Sequence, residues 1–165
     1  MPNFVQHPHP IDVKSNCPDA YRALAALTRA SPDIDLGLSA LIKARVSQLN
    51  GCAYCVDLHC GHARTAGVDN RVIDALAVWE SSPLFTEEQR IALEVADAFT
   101  LLPSGPVPEE TYLRAANYFS PSILAQIIVV ITAIGAWNRV MIAAGIDPPP
   151  LEIARTAAHE GVAHA

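Results

Sequence analysis

The chain carries two thiols and an imidazole at close spacing: Cys52-Ala53-Tyr54-Cys55, followed by His59. On a helix, positions i and i+3 share a face, as do i and i+4. A helix through residues 52–59 would therefore place a closable dithiol and a proton-handling group on one side. This is equipment for thiol redox chemistry, in which a thiolate attacks a peroxide or a disulfide. A helix N-terminus favours the negative sulfur, and an imidazole can take its proton. A second thiol can close a disulfide on the oxidised sulfur before over-oxidation.

The two thiols compete for the role of nucleophile. Cys52 lies nearest the helix start, where the dipole favours it. Cys55 lies one turn before His59, whereas Cys52 is about 10 Å from it along the axis. Proton transfer needs hydrogen-bond reach, so attack is assigned to Cys55, proton handling to His59 and resolution to Cys52. Two duller readings compete. The thiols could pack as small hydrophobes. Cys52, Cys55, His59 and His62 could hold a zinc ion, but residues ten apart on a continuous helix are separated by about 15 Å, too far for bonds near 2 Å. No metal or cofactor is assigned. Cys60 is expected on another side of the helix as a buried small residue, Cys17 has no evident role, and His62 is expected to be solvated or at an interface.

These residues must be positioned by a scaffold. With 165 residues the chain has length enough for one domain with a real core. Its 51% hydrophobic content, with Ala, Leu, Ile and Val dominant and 6% aromatics, favours close-packed helices. The net charge of −6 and the lack of a basic cluster argue against nucleic acid or an anionic membrane as partner. No signal peptide is visible at the start, and the longest apolar run, Ile123 to Trp137, is shorter than a bilayer span. Four cysteines are too few for a disulfide scaffold, and a CxxC in a reducing compartment is more often catalytic or metal-binding than structural. The expected location is cytoplasmic.

The elements predicted are all helical. Residues 1–16, with His7-Pro8-His9-Pro10, form an extended arm. Pro18 opens a helix to about Ala30, and a second runs from about Ile34 to Leu49. Gly51 and Gly67 end helices in the left-handed conformation, bracketing a helix of about 52–66. Asp69 caps a helix to about Trp79, and Glu80 to Phe85 is a loop. Thr86 and Gln89 form a capping box for a helix to about Leu102. Further helices cover about 109–118 and, from Ser120-Pro121, a long apolar stretch ending near Gly145. Residues 146–165 are a tail in which Leu151 to His159 could form a short helix. The whole is one all-α domain.

The segment from Arg45 to His59 resembles the core motif of the carboxymuconolactone decarboxylase superfamily, in its branch of AhpD-like alkylhydroperoxidases. Ala63-Arg64-Thr65-Ala66-Gly67, Trp79 to Thr86 and Ala136-Trp137-Asn138-Arg139 extend the similarity over roughly residues 18–145. The resemblance implies a bundle of about six to eight helices, assembled as a homo-oligomer (trimer or hexamer), that reduces hydroperoxides. It implies that Cys55 attacks the hydroperoxide, that Cys52 traps the sulfenic acid as a disulfide, and that His59 relays protons. A thiol or lipoyl-type protein would be the reductant. One departure stands out. The family's relay glutamate sits twelve residues before the first motif cysteine, and that position here is Ala40, beside Ser39. A methyl group shuttles no proton, so a weakened peroxidase is expected. Asp57 and Glu80 are candidate replacements, with Glu80 the better placed.

Two alternatives follow from the same resemblance. A decarboxylase or lactone-processing enzyme would not need both cysteines. A redox-inert structural relative would carry thiols that resist peroxide.

Overall fold

Leu38, Leu41, Ile42 and Val46 recur at helical spacing, and burying them on more than one side makes their helix the centre of the molecule. In the computed structural model, which describes residues 11–30 and 34–149, eight α-helical segments and two short 3-10 stretches appear, with no strand among the described residues. In chain order they are α1 (Val13–Asn16), α2 (Pro18–Thr28), α3 (Leu36–Leu49), α4 (Ala53–Thr65), α5 (Asn70–Asp74), α6 (Glu87–Thr100), α7 (Glu109–Tyr118) and α8 (Pro121–Ala143). The 3-10 stretches are Leu76–Ser81 and Leu102–Ser104.

Local chemistry sets most of these boundaries. Pro18 opens α2, Asp69 accepts the Arg71 N–H at 2.7 Å ahead of α5, and Ser120 caps α8. The capping box before α6 is complete, with both Thr86–Gln89 bonds made. Gly51 and Gly67 have φ of +70° and +85°, which turns the chain out of α3 and α4. Asp35, overlooked in the sequence, starts α3 two residues late by accepting the Leu38 N–H at 2.9 Å.

Three expectations need correction. The arm is not extended throughout: Asp12 caps a helical turn, α1, inside it. The helix expected from 70 to 79 ends at Asp74, because the chain tightens into 3-10 geometry with a non-helical Val78. Residues 80–85 are accordingly a loop only from Ser82 onward. The prolines and histidines at 7–10 and the suggested helix at 151–159 lie outside the described residues.

The main core joins α3, α6 and α8 through Ile42, Val46, Val95, Ile127 and Ile131, and the thiols of Cys52 and Cys55 lie within it. A second cluster packs Leu41, Leu76, Trp79, Phe85 and Leu93 on the other side of α3. Here Arg45 and Asp97 form a paired ion bridge at 2.7 Å for both bonds, and Asp97 also accepts from the Trp79 indole at 3.1 Å. Arg90 holds the carbonyls of Trp79, Glu80 and Ser82. Helix α8 has the length and apolarity of a membrane span. It serves as a core helix, burying Ile127, Val130, Ile131 and Ile134 in the main cluster.

Candidate active site

Helix α4 positions the motif. Cys52 is its N-cap, with extended rather than helical backbone (φ −90°, ψ 93°). Its N–H is tied to the Ser47 carbonyl at 3.0 Å and its carbonyl accepts from Val56 at 3.0 Å. Cys55 falls in the first turn and His59 one turn later, all three buried. Both cysteines are free thiols, and Cys52 adds to the proton affinity of Cys55.

The two thiols nevertheless meet different surroundings. Cys55 and His59 line a cavity of about 360 Å³ walled by α2, α3, α4 and α8. Tyr21, Tyr54, Ile134 and Trp137 give it an apolar and aromatic surface. Trp137 is fixed there, donating its indole N–H to Thr28 Oγ1 at 2.7 Å and meeting Tyr21 edge to face at 4.9 Å. Cys52 lies instead against a shallow groove on the other side of α4, shared with Asp57, Cys60 and Arg64. The four residues weighed as zinc ligands therefore do not converge, and among the described residues no group of three His, Cys, Asp or Glu has a metal-binding arrangement.

Electrostatics show that Cys55, assigned the attack for its reach to His59, does not rest as a thiolate. Burial pushes the Cys55 thiol up to about 12, the hydrogen bond with Cys52 adds to the rise, and a hydrogen bond from Asn138 opposes it. Burial pushes His59 down to about 3, with Lys43 and His62 adding like charge. Magnitudes explain the sign. A helix terminus is worth about 0.3–1 kcal/mol. Burial can move a pKa by up to about 3–5 units, at about 1.36 kcal/mol each. The resting pair is a neutral thiol and a neutral imidazole, and the imidazole is in the form that accepts a proton. His59 Nδ1 is buried without a hydrogen-bond partner.

The candidate replacements for the relay glutamate are elsewhere. Ala40 packs with Ala63 and Ile73. Asp57 is exposed and borders the groove. Glu80 is exposed, and its charge acts on Arg45, on the side of the second cluster. Among the described residues no carboxylate lines the cavity. Cys60 is half-buried in the groove with Cys52 rather than sealed away, and Cys17 is exposed at the start of α2. His62 is exposed yet reaches the cavity, edge to face with His59 at 5.4 Å.

Two further residues went unassigned in the sequence. Asn138 is fully buried on α8, donates to Ser47 Oγ at 3.0 Å and accepts from Asn50 Nδ2 at 2.9 Å. This polar crosslink stands behind Cys55 and gives it a donor. An amide inside an apolar run was the available signal, since buried polar groups are retained where they are satisfied. Lys43 lines the cavity from α3. Only the packing of α3 on α4 brings it there.

Comparisons with known proteins agree with this architecture. Residues 18–98 match the model of the carboxymuconolactone decarboxylase family. The uncharacterized protein YdfG of Bacillus subtilis is 39% identical over 105 residues, which cover 64% of this chain and 71% of YdfG. A structure from Agrobacterium tumefaciens, proposed to be the antioxidant defence protein AhpD, superposes with a TM-score of 0.80 at 32% identity, over 86% of this chain and 99% of that one. The debrominase Bmp8 superposes with a TM-score of 0.72 at 25% identity, over 82% of this chain and 74% of its own. A cysteine-to-alanine variant of Bmp8 has been crystallised with 2,3,4-tribromopyrrole. The chain belongs to the carboxymuconolactone decarboxylase/AhpD-like superfamily.

Proposed function

We propose that the protein is a cytoplasmic, homo-oligomeric dithiol peroxidase that reduces organic hydroperoxides. One observation carries the reading: a buried thiol and a neutral imidazole share the wall of an apolar cavity, while a second thiol three residues away lies outside that wall. In the cycle, His59 takes the Cys55 proton as the sulfur attacks the outer peroxide oxygen. The O–O bond breaks, the S–O bond forms, and the proton passes to the departing alkoxide, giving an alcohol and the Cys55 sulfenic acid. The Cys52 thiol then displaces water and closes the disulfide. A dithiol or lipoyl-type protein returns two electrons and two protons, with the groove beside Cys52 as its route of approach. The high proton affinity of Cys55 makes thiolate formation part of the attack rather than a resting state, so modest rates are expected.

Two variants test this. With cumene hydroperoxide and dithiothreitol, Cys55→Ser should reduce consumption to the uncatalysed level. Without dithiothreitol, Cys52→Ser should consume about one equivalent per chain and stop, leaving a sulfenic acid trappable by dimedone. Wild-type turnover by Cys55→Ser would overturn the assignment.

The aromatic wall and the likeness to Bmp8 favour one second reading, thiol-driven removal of halogen from an electron-rich ring. The Cys55 sulfur would take the halogen, the ring carbon a proton, and Cys52 would displace halide as the disulfide forms. Halide release from 2,3,4-tribromopyrrole, with no consumption of hydroperoxide, would select it.

A further inference from the structure

The cavity has a charge pattern that its dithiol chemistry does not require. Its body is apolar, yet Arg29, Lys43, His59 and His62 border it, and among the described residues no acidic one does. Lys43 is half-buried, whereas Arg29 is exposed. Among the described residues no carboxylate pairs with Lys43, although the chain holds 17 acidic residues. Three residues earlier on α3, where a carboxylate would be an ion-pair neighbour, stands Ala40. Burial lowers the proton affinity of Lys43, a cost that an anion in the cavity would offset. Beside it, His59 is nine-tenths buried and its Nδ1 lacks a partner. The cavity thus offers an ammonium with no carboxylate partner among the described residues, beside the His59 imidazole, together with an apolar wall. Its volume of about 360 Å³ lies in the range of small-molecule sites, about 300–1,000 Å³.

We infer that the cavity selects amphipathic organic anions, an apolar chain or ring bearing one carboxylate group, with Lys43 anchoring the charge and the Tyr21, Ile134 and Trp137 wall holding the body. The inference rests on the reading of this cavity as the place where substrate meets Cys55. It names the substrate class as acid-bearing hydroperoxides rather than neutral ones. The anchor holds the head group near the imidazole and leaves the oxidisable sulfur facing the body of the ligand.

The probes are octanoate and octanamide, which share a chain and differ in charge, titrated calorimetrically into the reduced full-length protein. Wild type should bind octanoate about tenfold more tightly than octanamide, as a desolvated charge-assisted contact would give. Lys43→Met should remove that preference by weakening octanoate alone, and Lys43→Arg should keep it. Thermal melts verify that each variant is folded. Equal affinity for both probes in wild type, no binding of either, or a preference that survives Lys43→Met would overturn the inference. If the preference depends on Lys43 while no hydroperoxide is consumed, the inference stands and the peroxidase reading falls. If hydroperoxide is consumed without any preference, the reverse holds.

Discussion

The two sides of α4 differ more than the two cysteines they carry. On one side, Cys55 and His59 face an apolar cavity with cations at its edge and, among the described residues, no carboxylate. On the other, Cys52 borders an open groove with Asp57, Cys60 and Arg64. The thiols are three residues apart, yet they border different surfaces. The lesson is that a dithiol motif fixes the bond that can form, whereas the packing around it decides what can reach each sulfur. Burial on the cavity side also explains why the imidazole is uncharged and the thiol protonated at rest.

The comparison breaks most visibly at His59. His59→Gln should lower peroxide turnover by about 10² to 10⁴-fold, the usual worth of a positioned acid–base group. It should also change acid stability in a definite sense. His59 has its folded pKa depressed from 6.5 to about 3, so its contribution is present above pH 6.5 and is lost as pH falls towards 3. Urea midpoints should fall over that window in wild type and fall less in His59→Gln. Equal slopes would contradict a buried neutral imidazole. Asn138→Ala probes the polar crosslink behind the cavity. It leaves Ser47 and Asn50 without their partner and should cost about 1–3 kcal/mol in denaturant unfolding, while slowing alkylation of Cys55 by loss of a donor. An unchanged midpoint would mean the crosslink is dispensable. The smallest effect belongs to the groove. Cys60→Ser should leave peroxide turnover within about twofold, as expected for a substitution that removes no reacting group. A large loss would make Cys60 a redox partner of Cys52.

Much of the fold was legible because it is written in short-range chemistry. Thr86 with Gln89, Asp69, Pro18, Gly51 and Gly67 each act within one turn of themselves, and each does what its type and position imply. The break after Asp74 was not legible, because it follows from packing Leu76 and Trp79 into the second cluster rather than from a Gly or Pro. At the site, the trio Cys52, Cys55 and His59 could be read from spacing. Their division between two surfaces could not, because Cys52 as N-cap has extended backbone and the same-face rule holds only inside the helix. The resting protonation of Cys55 could not be read from spacing, since the depth of burial is a tertiary quantity. Lys43 was invisible for the same reason: it lies nine residues before Cys52, and only the α3–α4 contact carries it to His59.

The central claim is that Cys55 is oxidised from the cavity and resolved by Cys52. The most direct test is peptide mapping by mass spectrometry after treating the reduced protein with one equivalent of cumene hydroperoxide and alkylating the remaining thiols. The expected result is the loss of two thiols per chain as one intrachain Cys52–Cys55 disulfide, with Cys17 and Cys60 alkylated. Recovery of alkylated Cys55 in full, or a disulfide joining Cys52 to Cys60, would contradict it.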